Sequence, residues 1–307
     1  MGIRPERHGA RRTDQRGRRL ITFFTIPKSF DGRSDRVQRN AIGSWARVVP
    51  GAEVILFGDD AGVAEAAGTL GAEHVSSIER TELGTPLLDG AFAEARARAS
   101  HDLLCFLNAD IVLLPDFHAA AARVADLGPP LLMIGETWDV PLDTLLNFEH
   151  DSQAHVAALV SQGRRRGAGA LDYFLFTRDL FDELPPFAVG RVGFDNWLIW
   201  RARANGAQVV DATPTVRAAH QQHDYSHVMG GRAATRLGSA EASRNLELAA
   251  SKSRLYTRYD ATHVLGRRRL RRNLLSVFRL KENLRKVVYK TRMHTPWLPH
   301  DAVRGPQ

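Results

Sequence analysis

The chain has 307 residues, which is enough for one large hydrophobic core with an appended segment, and its single cysteine excludes an internal disulfide. The formal net charge of +8 comes from the two ends, because residues 1–20 and 264–293 carry +5 and +10 and leave about −7 for the remainder. This acidic remainder argues against specific binding of nucleic acid, which requires positive charge on the folded surface.

The first half of the chain alternates between strand and helix patterns. Residues 1–18 are rich in arginine and predict a disordered basic arm. We then predict strands at 20–26, 54–57, 72–75 and 102–107, separated by helices at 36–49, 61–70 and 85–99. This alternation is typical of a parallel sheet with right-handed crossovers.

The last of these strands shapes the functional prediction. Five apolar residues follow Asp102, a run too continuous for a half-exposed strand, so we expect it to be central and covered on both faces. The strand ends on Asn108 and Asp110, at the sheet edge where α/β proteins bind ligands. An aspartate there suits a divalent cation, which usually accompanies a diphosphate. The alternative is that both residues only stabilise the following turn.

The pattern is less regular after Asp110. We predict helices at 115–127 and 150–162, strands at 131–134, 171–176, 208–212 and 216–219, an irregular segment at 137–147 and a basic loop at 164–169. A helix should begin at Phe194, with Asp195 able to cap it. Cys105 is expected in the core, and no apolar run has signal-peptide or membrane-spanning length, so a cytoplasmic location is the expectation.

Residues 267–292 combine an apolar stripe at helical spacing with many basic side chains. Such an amphipathic helix can bind an anionic membrane surface, which predicts peripheral contact with the inner face of a membrane. The alternative is that the stripe packs on the domain while the charges face solvent.

From Leu20 to Val228 these features resemble the GT-A glycosyltransferases, the family-2-like nucleotide-diphospho-sugar transferases. The resemblance implies an α/β fold with one doubly wound, mostly parallel sheet and helices on both faces. It implies a GT-A domain at 19–230, between the arm at 1–18 and a helical, basic extension at 231–307. The implied activity is metal-assisted transfer of a sugar from a nucleotide-sugar donor to a hydroxyl of a glycan, a lipid-linked acceptor or a small molecule.

The resemblance also implies a divalent metal cofactor, manganese or magnesium. Asn108-Ala109-Asp110 is similar to the family's acidic motif, with Asn108 in place of its first acid. Asp110 would then bind the metal, and Asn108 the donor ribose or a metal-bound water. His220 or His223 would complete the metal ligands, with His220 preferred, since imidazole suits manganese.

The remaining site residues follow from the same resemblance. Thr25, Pro27, Asp59 and Thr85 would contribute to the nucleotide pocket, although Asp59 also suits a turn and Thr85 a helix cap. Asp195 would be the general base of an inverting reaction. The acceptor side would comprise Asp172, Trp197 and Tyr225, together with Trp138 and Asp139.

Two other functions are compatible with parts of the sequence. A sugar-1-phosphate nucleotidyltransferase shares the sheet, but it would need a glycine-rich phosphate loop after the first strand, where this chain reads TIPKSF. A noncatalytic protein that binds membrane or nucleic acid through the basic ends is the second alternative.

Overall fold

The computed structural model describes residues 20–148, 152–222 and 239–274. In the first half, the predicted alternation of strands and helices is confirmed. The elements are β1 (Ile21–Thr25), α1 (Gly32–Val48), β2 (Glu53–Phe57), α2 (Val63–Leu70), β3 (Glu73–Val75), α3 (Leu88–Arg98) and β4 (Leu103–Leu107). Every residue of β4 is buried, as its apolar sequence predicts.

The second half contains more and shorter strands than predicted. Its elements are β5 (Ile111–Leu113), α4 (Asp116–Ala125), β6 (Leu131–Glu136), β7 (Trp138–Val140), α5 (Ser152–Gln162), β8 (Arg164–Arg165), β9 (Leu171–Thr177), α6 (Phe194–Ala204), β10 (Gln208–Asp211), β11 (Ala218–Gln221), α7 (Ala240–Leu248), β12 (His263–Leu265) and β13 (Leu270–Arg272). Short 3-10 turns at Lys252–Arg254 and Arg258–Asp260 lie between α7 and β12.

Within the described residues, nine strands form the large sheet in the order β13-β12-β10-β6-β9-β4-β1-β2-β3. Its pairs are parallel except those made by β9 and β13. Side chains of β1 alternate between two hydrophobic clusters, Phe23 with Trp45 and Phe117 on one face and Phe24 with Phe92 and Trp197 on the other. The predicted mostly parallel sheet with helices on both faces is therefore confirmed.

The prediction of one sheet is incomplete, because β5, β11, β7 and β8 form a second sheet in that order. The segment predicted as irregular contains β7, and the predicted basic loop begins with β8, which pairs with it. The strand predicted at 216–219 lies at 218–221. These strands have two to four residues and depend on their partners for stability, so their own patterns are weak.

Two strands from the chain after residue 230, β12 and β13, belong to the same sheet. The sequence predicts a basic helix from 267, but Leu270–Arg272 is a strand paired with β12, which pairs with β10. The described part of the predicted helical extension therefore contains helix α7 together with two strands of the large sheet. The arm at 1–18 and residues 275–292 lie outside the described residues. In the part of the chain that the structure describes, no helix is long and apolar enough to cross a bilayer.

A buried amide network attaches α1 to the end of β4. The Gln221 side chain is fully buried, and its Nε2 donates to the carbonyl oxygens of Val37, at 2.8 Å, and Asp110, at 3.2 Å. Its Oε1 accepts from Asn40 Nδ2 at 3.0 Å. The backbone of Asp110 is thus held by a hydrogen bond from a side chain that water does not reach.

Replacing Gln221 by leucine should lower the free energy of unfolding by about 1–3 kcal/mol, because buried polar groups lose their partners. Gln208→Leu is the matched control, since its amide makes one longer, half-buried bond to Leu127 and should cost less than about 1 kcal/mol. Urea unfolding of both variants measures the difference. Equal losses would show that the amide network does not hold Asp110.

Candidate active site

Asp110 and His220 meet at the end of β4 because of the strand register in the small sheet. β11 runs antiparallel to β5 with His220 opposite Ile111, the residue after Asp110. The backbone N–H of Gln221 also donates to the Asp110 carbonyl at 3.2 Å. Consequently His220 Nε2 lies 3.4 Å from Asp110 Oδ2.

Asp139 lies on the other side of the same imidazole ring. β7 and β11 are parallel with Asp139 and His220 in register, and His220 Nδ1 is 2.9 Å from Asp139 Oδ1. Burial alone would lower the pKa of His220, but the carboxylates of Asp110 and Asp172 together outweigh burial and raise that pKa above its ordinary value. The surroundings of His220 therefore favour its protonated, positively charged form in the absence of a metal ion.

Asp172, in β9, connects the neighbouring side chains. Only 5% of it is exposed, and both carboxylate oxygens accept from Arg166 Nη1, at 2.6 and 2.7 Å. Asn108 Nδ2 donates to Oδ1 at 3.1 Å, and the Thr137 hydroxyl donates to Oδ2 at 2.6 Å. Arg166 Nε also lies 3.4 Å from Asp139, the neighbour of His220. Arg166 therefore links Asp172 to the Asp139–His220 pair.

Asp195 reaches this region from the first turn of α6. Phe194 packs edge-on against Phe106, two residues before Asn108, with ring centroids 6.2 Å apart. The Asp195 carboxyl is half-buried, and desolvation raises its pKa from 3.8 to about 7, with a further contribution from the charge of Asp172. A carboxyl with this pKa can accept a proton near neutral pH.

The loop before Asp195 is held in place by α7. The fully buried Asn245 brackets Ala188, accepting from its N–H at 2.9 Å and donating to its carbonyl at 3.0 Å. One turn earlier, Glu241 accepts from Arg191 Nε at 2.9 Å. The loop ends at Gly193, whose φ of +111° favours glycine.

The carboxyl end of β2 lies beside a second group of polar side chains. Asp59 is 69% exposed in its side chain, and Arg80 Nη2 donates to it at 2.7 Å and to Asp60 at 2.8 Å. Arg80 lowers the pKa of Asp59. Thr25 and Pro27, at the end of β1, are both buried.

No protein-family model matches the sequence, and a search of curated proteins found no match. Solved structures do resemble it. The structure of GalNAc-T7 with UDP, GalNAc and Mn²⁺ aligns with a TM-score of 0.51 at 12% identity, over 77% of this chain and 49% of that one. The chain has a GT-A fold. At this identity the similarity establishes the fold alone.

Two further structures align more weakly. Glucosyl-3-phosphoglycerate synthase from Mycobacterium tuberculosis, in complex with Mg²⁺ and UDP, has a TM-score of 0.44 and 15% identity over 78% of this chain and 80% of its own. S. aureus TarS 1–349 has a TM-score of 0.43 and 12% identity over 65% of this chain and 60% of its own.

The side chains at the edge of this GT-A sheet fit a divalent cation in part. Among the described residues, no group of three or more His, Cys, Asp or Glu side chains is arranged to hold a metal ion. Asp110 and His220 instead offer one carboxylate and one imidazole side by side. Magnesium is commonly held by one or two carboxylates with substrate phosphates and water supplying the rest, and manganese also accepts imidazole. The pair suits that arrangement.

Three predicted site residues have other surroundings than expected. Trp197 is 5% exposed and packs on Phe187 and Trp200, so its ring is not available to stack on an acceptor sugar. Asp172 is occupied by its protein partners rather than open to an acceptor. Thr85 precedes the start of α3 and donates to Glu241 at 2.9 Å, so it does not cap the helix. Tyr225 and His223 lie outside the described residues.

Sequence reasoning missed Arg166, Thr137, Arg191 and Glu241, which support the site. None of them lies in a motif, and arginine runs are usually solvated. Arg258 was also missed; it donates to Glu136 at 2.6 Å and to Asp211 at 2.9 Å and so pairs two buried carboxylates. The available signal was indirect, because a buried acid at a strand end requires a basic partner from elsewhere in the chain.

Asp195→Asn should change how stability depends on pH. Since the pKa of Asp195 is about 7 when folded and near 3.8 when unfolded, the wild type loses free energy of unfolding as pH rises between these values. The variant lacks this loss, so its advantage should be small near pH 4, grow up to about pH 7 and stay constant above it. Urea unfolding across this range measures it. Parallel curves for the two proteins would contradict the raised pKa.

Proposed function

We propose that this protein is a glycosyltransferase that moves a sugar from a nucleotide-diphospho-sugar donor to an acceptor hydroxyl. The observation that carries the proposal is the position of Asp110 and His220 at the carboxyl end of β4, at the edge of a GT-A sheet where α/β folds bind their ligands. The solved structures of similar fold include one that holds UDP with Mn²⁺.

Asp110 and His220 are the residues that would hold a divalent cation, manganese or magnesium. Such a cation, when bound, neutralises charge on a departing diphosphate. Asn108 has a different role in this proposal, because one of its two amide N–H groups donates to Asp172 while its carbonyl oxygen can accept a hydroxyl of the donor.

Asp195 is the general base of the proposed reaction. The charge of Asp172 contributes to the raised pKa of the Asp195 carboxyl. The contact of Phe194 with Phe106 keeps Asp195 near the end of β4. Asp195 would accept the proton of the acceptor hydroxyl while that oxygen attacks the anomeric carbon and the bond to the nucleoside diphosphate breaks on the opposite face, a single displacement with inversion. General base catalysis of this kind contributes a factor of about 100 to 10,000.

Asp59 is the proposed contact to the nucleotide. Its carboxylate is exposed at the end of β2 and is held by Arg80, which leaves oxygen lone pairs to accept from a ribose hydroxyl or a base N–H. Thr25 and Pro27 would shape the floor of the same pocket at the end of β1. The acceptor class and peripheral contact with a membrane remain sequence-based proposals.

Donor binding should depend on Asp110. With Mn²⁺ present, one or more nucleoside diphosphates in a panel should raise the melting temperature of the wild type by mass action. Asp110→Ala should lose the Mn²⁺-dependent part of this shift. Asp143→Ala is the control, since that exposed carboxylate pairs only with Arg33 among the described residues and its loss removes the same charge. A full shift in the Asp110 variant would refute its role.

Catalysis should depend on Asp195 without a matching effect on binding. Asp195→Asn should keep the rise in melting temperature that a nucleoside diphosphate causes, but lower kcat for sugar transfer about 100- to 10,000-fold. In the wild type, kcat/KM should fall as pH decreases through about 7, because the carboxyl becomes protonated. Rates over a pH series with the donor found by the panel test this. An unchanged kcat in the variant would exclude Asp195 as the base.

A further inference from the structure

We propose that Asp139 is a positioning residue that acts through His220, holding the imidazole so that Nε2 faces Asp110. The inference rests on the proposed function, because it concerns how the chain prepares His220 to bind a divalent cation. Sequence reasoning placed Asp139 only on the acceptor side.

The two carboxylates lie beside different nitrogens of the His220 ring. Asp139 Oδ1 lies 2.9 Å from Nδ1, whereas Asp110 Oδ2 lies 3.4 Å from Nε2. Nδ1 is therefore the ring nitrogen closer to a carboxylate, and the negative charge of Asp139 favours a proton on Nδ1 over one on Nε2. A proton on Nδ1 leaves the lone pair of the neutral ring on Nε2, the atom beside Asp110.

Asp139 is itself fixed in position. Its side chain is largely buried, and it lies in register with His220 in the neighbouring strand, so both project from the same face of the small sheet. Arg166 Nε lies 3.4 Å from Oδ1, the oxygen that meets His220, and Arg164 Nη2 lies 3.4 Å from Oδ2. These two contacts hold the Asp139 side chain in place beside Nδ1.

The contact places a carboxylate beside the second ring nitrogen, where metal-binding histidines usually have one. Such histidines usually donate the proton of the nitrogen that does not bind metal to a carboxylate or a carbonyl, which sets the tautomer and increases the basicity of the other nitrogen. Loss of this partner typically weakens metal binding about 10- to 100-fold. We expect Asp139 to matter for metal affinity here, because the described residues offer two metal ligands, Asp110 and His220, rather than a cluster of three or more.

A purely structural role for Asp139 is the competing explanation. Asp139 could simply hold β7 against β11, and its loss would then disturb the edge of the sheet whether or not His220 is present. A double-mutant cycle separates these explanations, because a residue that acts through His220 has nothing to act on once His220 is removed.

The experiment is a Mn²⁺ titration followed by electron paramagnetic resonance, with UDP present, on the full chain. Asp139→Ala should weaken Mn²⁺ binding about 10- to 100-fold, and Asp139→Asn, which keeps an oxygen but no charge, about threefold to tenfold. The double variant Asp139→Ala, His220→Ala should bind no more weakly than His220→Ala alone. Asp143→Ala controls for the loss of one negative charge on the surface.

The outcomes distinguish this inference from the proposed function. If the wild type binds Mn²⁺ but both Asp139 variants bind equally well, or if the double variant shows the full sum of both losses, the positioning role is wrong. If the wild type binds no Mn²⁺ with UDP, the metal-assisted function itself fails. Melting curves without metal identify a variant that does not fold, and in that case Asp139→Asn alone decides.

Discussion

The candidate site depends on the register of one four-residue strand, β11, between β5 and β7. This pairing sets His220 beside Asp110 on one side and beside Asp139 on the other. A shift by one residue would turn His220 to the opposite face and replace it with Ala219 or Gln221. The fully buried Gln221 opposes such a shift, because its amide finds its partners in α1 and at Asp110 only in the observed register.

Helix α1 holds the other partner of β11. Trp45 Nε1 donates to the carbonyl oxygen of Ile111 at 2.9 Å, and Ser44 Oγ accepts from the N–H of Leu113 at 3.0 Å. Both bonds are buried, so their loss would leave polar groups of β5 unsatisfied. The strand that follows Asp110 is therefore fixed from two directions, and the carboxylate does not have to be ordered when a ligand arrives.

Charge is the second constraint on this region. Several buried or half-buried carboxylates lie near the ends of β6, β7, β9 and β10, and an unpaired buried charge is costly. Arg166 and Arg258 compensate most of them, which leaves Asp110 with His220 and Asp195 with a raised pKa. The carboxyls assigned to chemistry are thus one beside a histidine and one with a perturbed pKa, and both features are common at functional sites.

The sequence by itself determined most strands of the large sheet and placed Asn108 and Asp110 at the carboxyl end of a central one. Continuous apolar runs such as 103–107 are readable because a strand buried on both faces must be apolar throughout. Only the tertiary structure decided which polar residues share that edge. The strands β7, β8 and β11 are too short to carry a pattern, and the contacts of His220, Asp139 and Arg166 join segments far apart in the chain. Local sequence records how a strand is buried, whereas its partners and their register follow from packing of the whole domain.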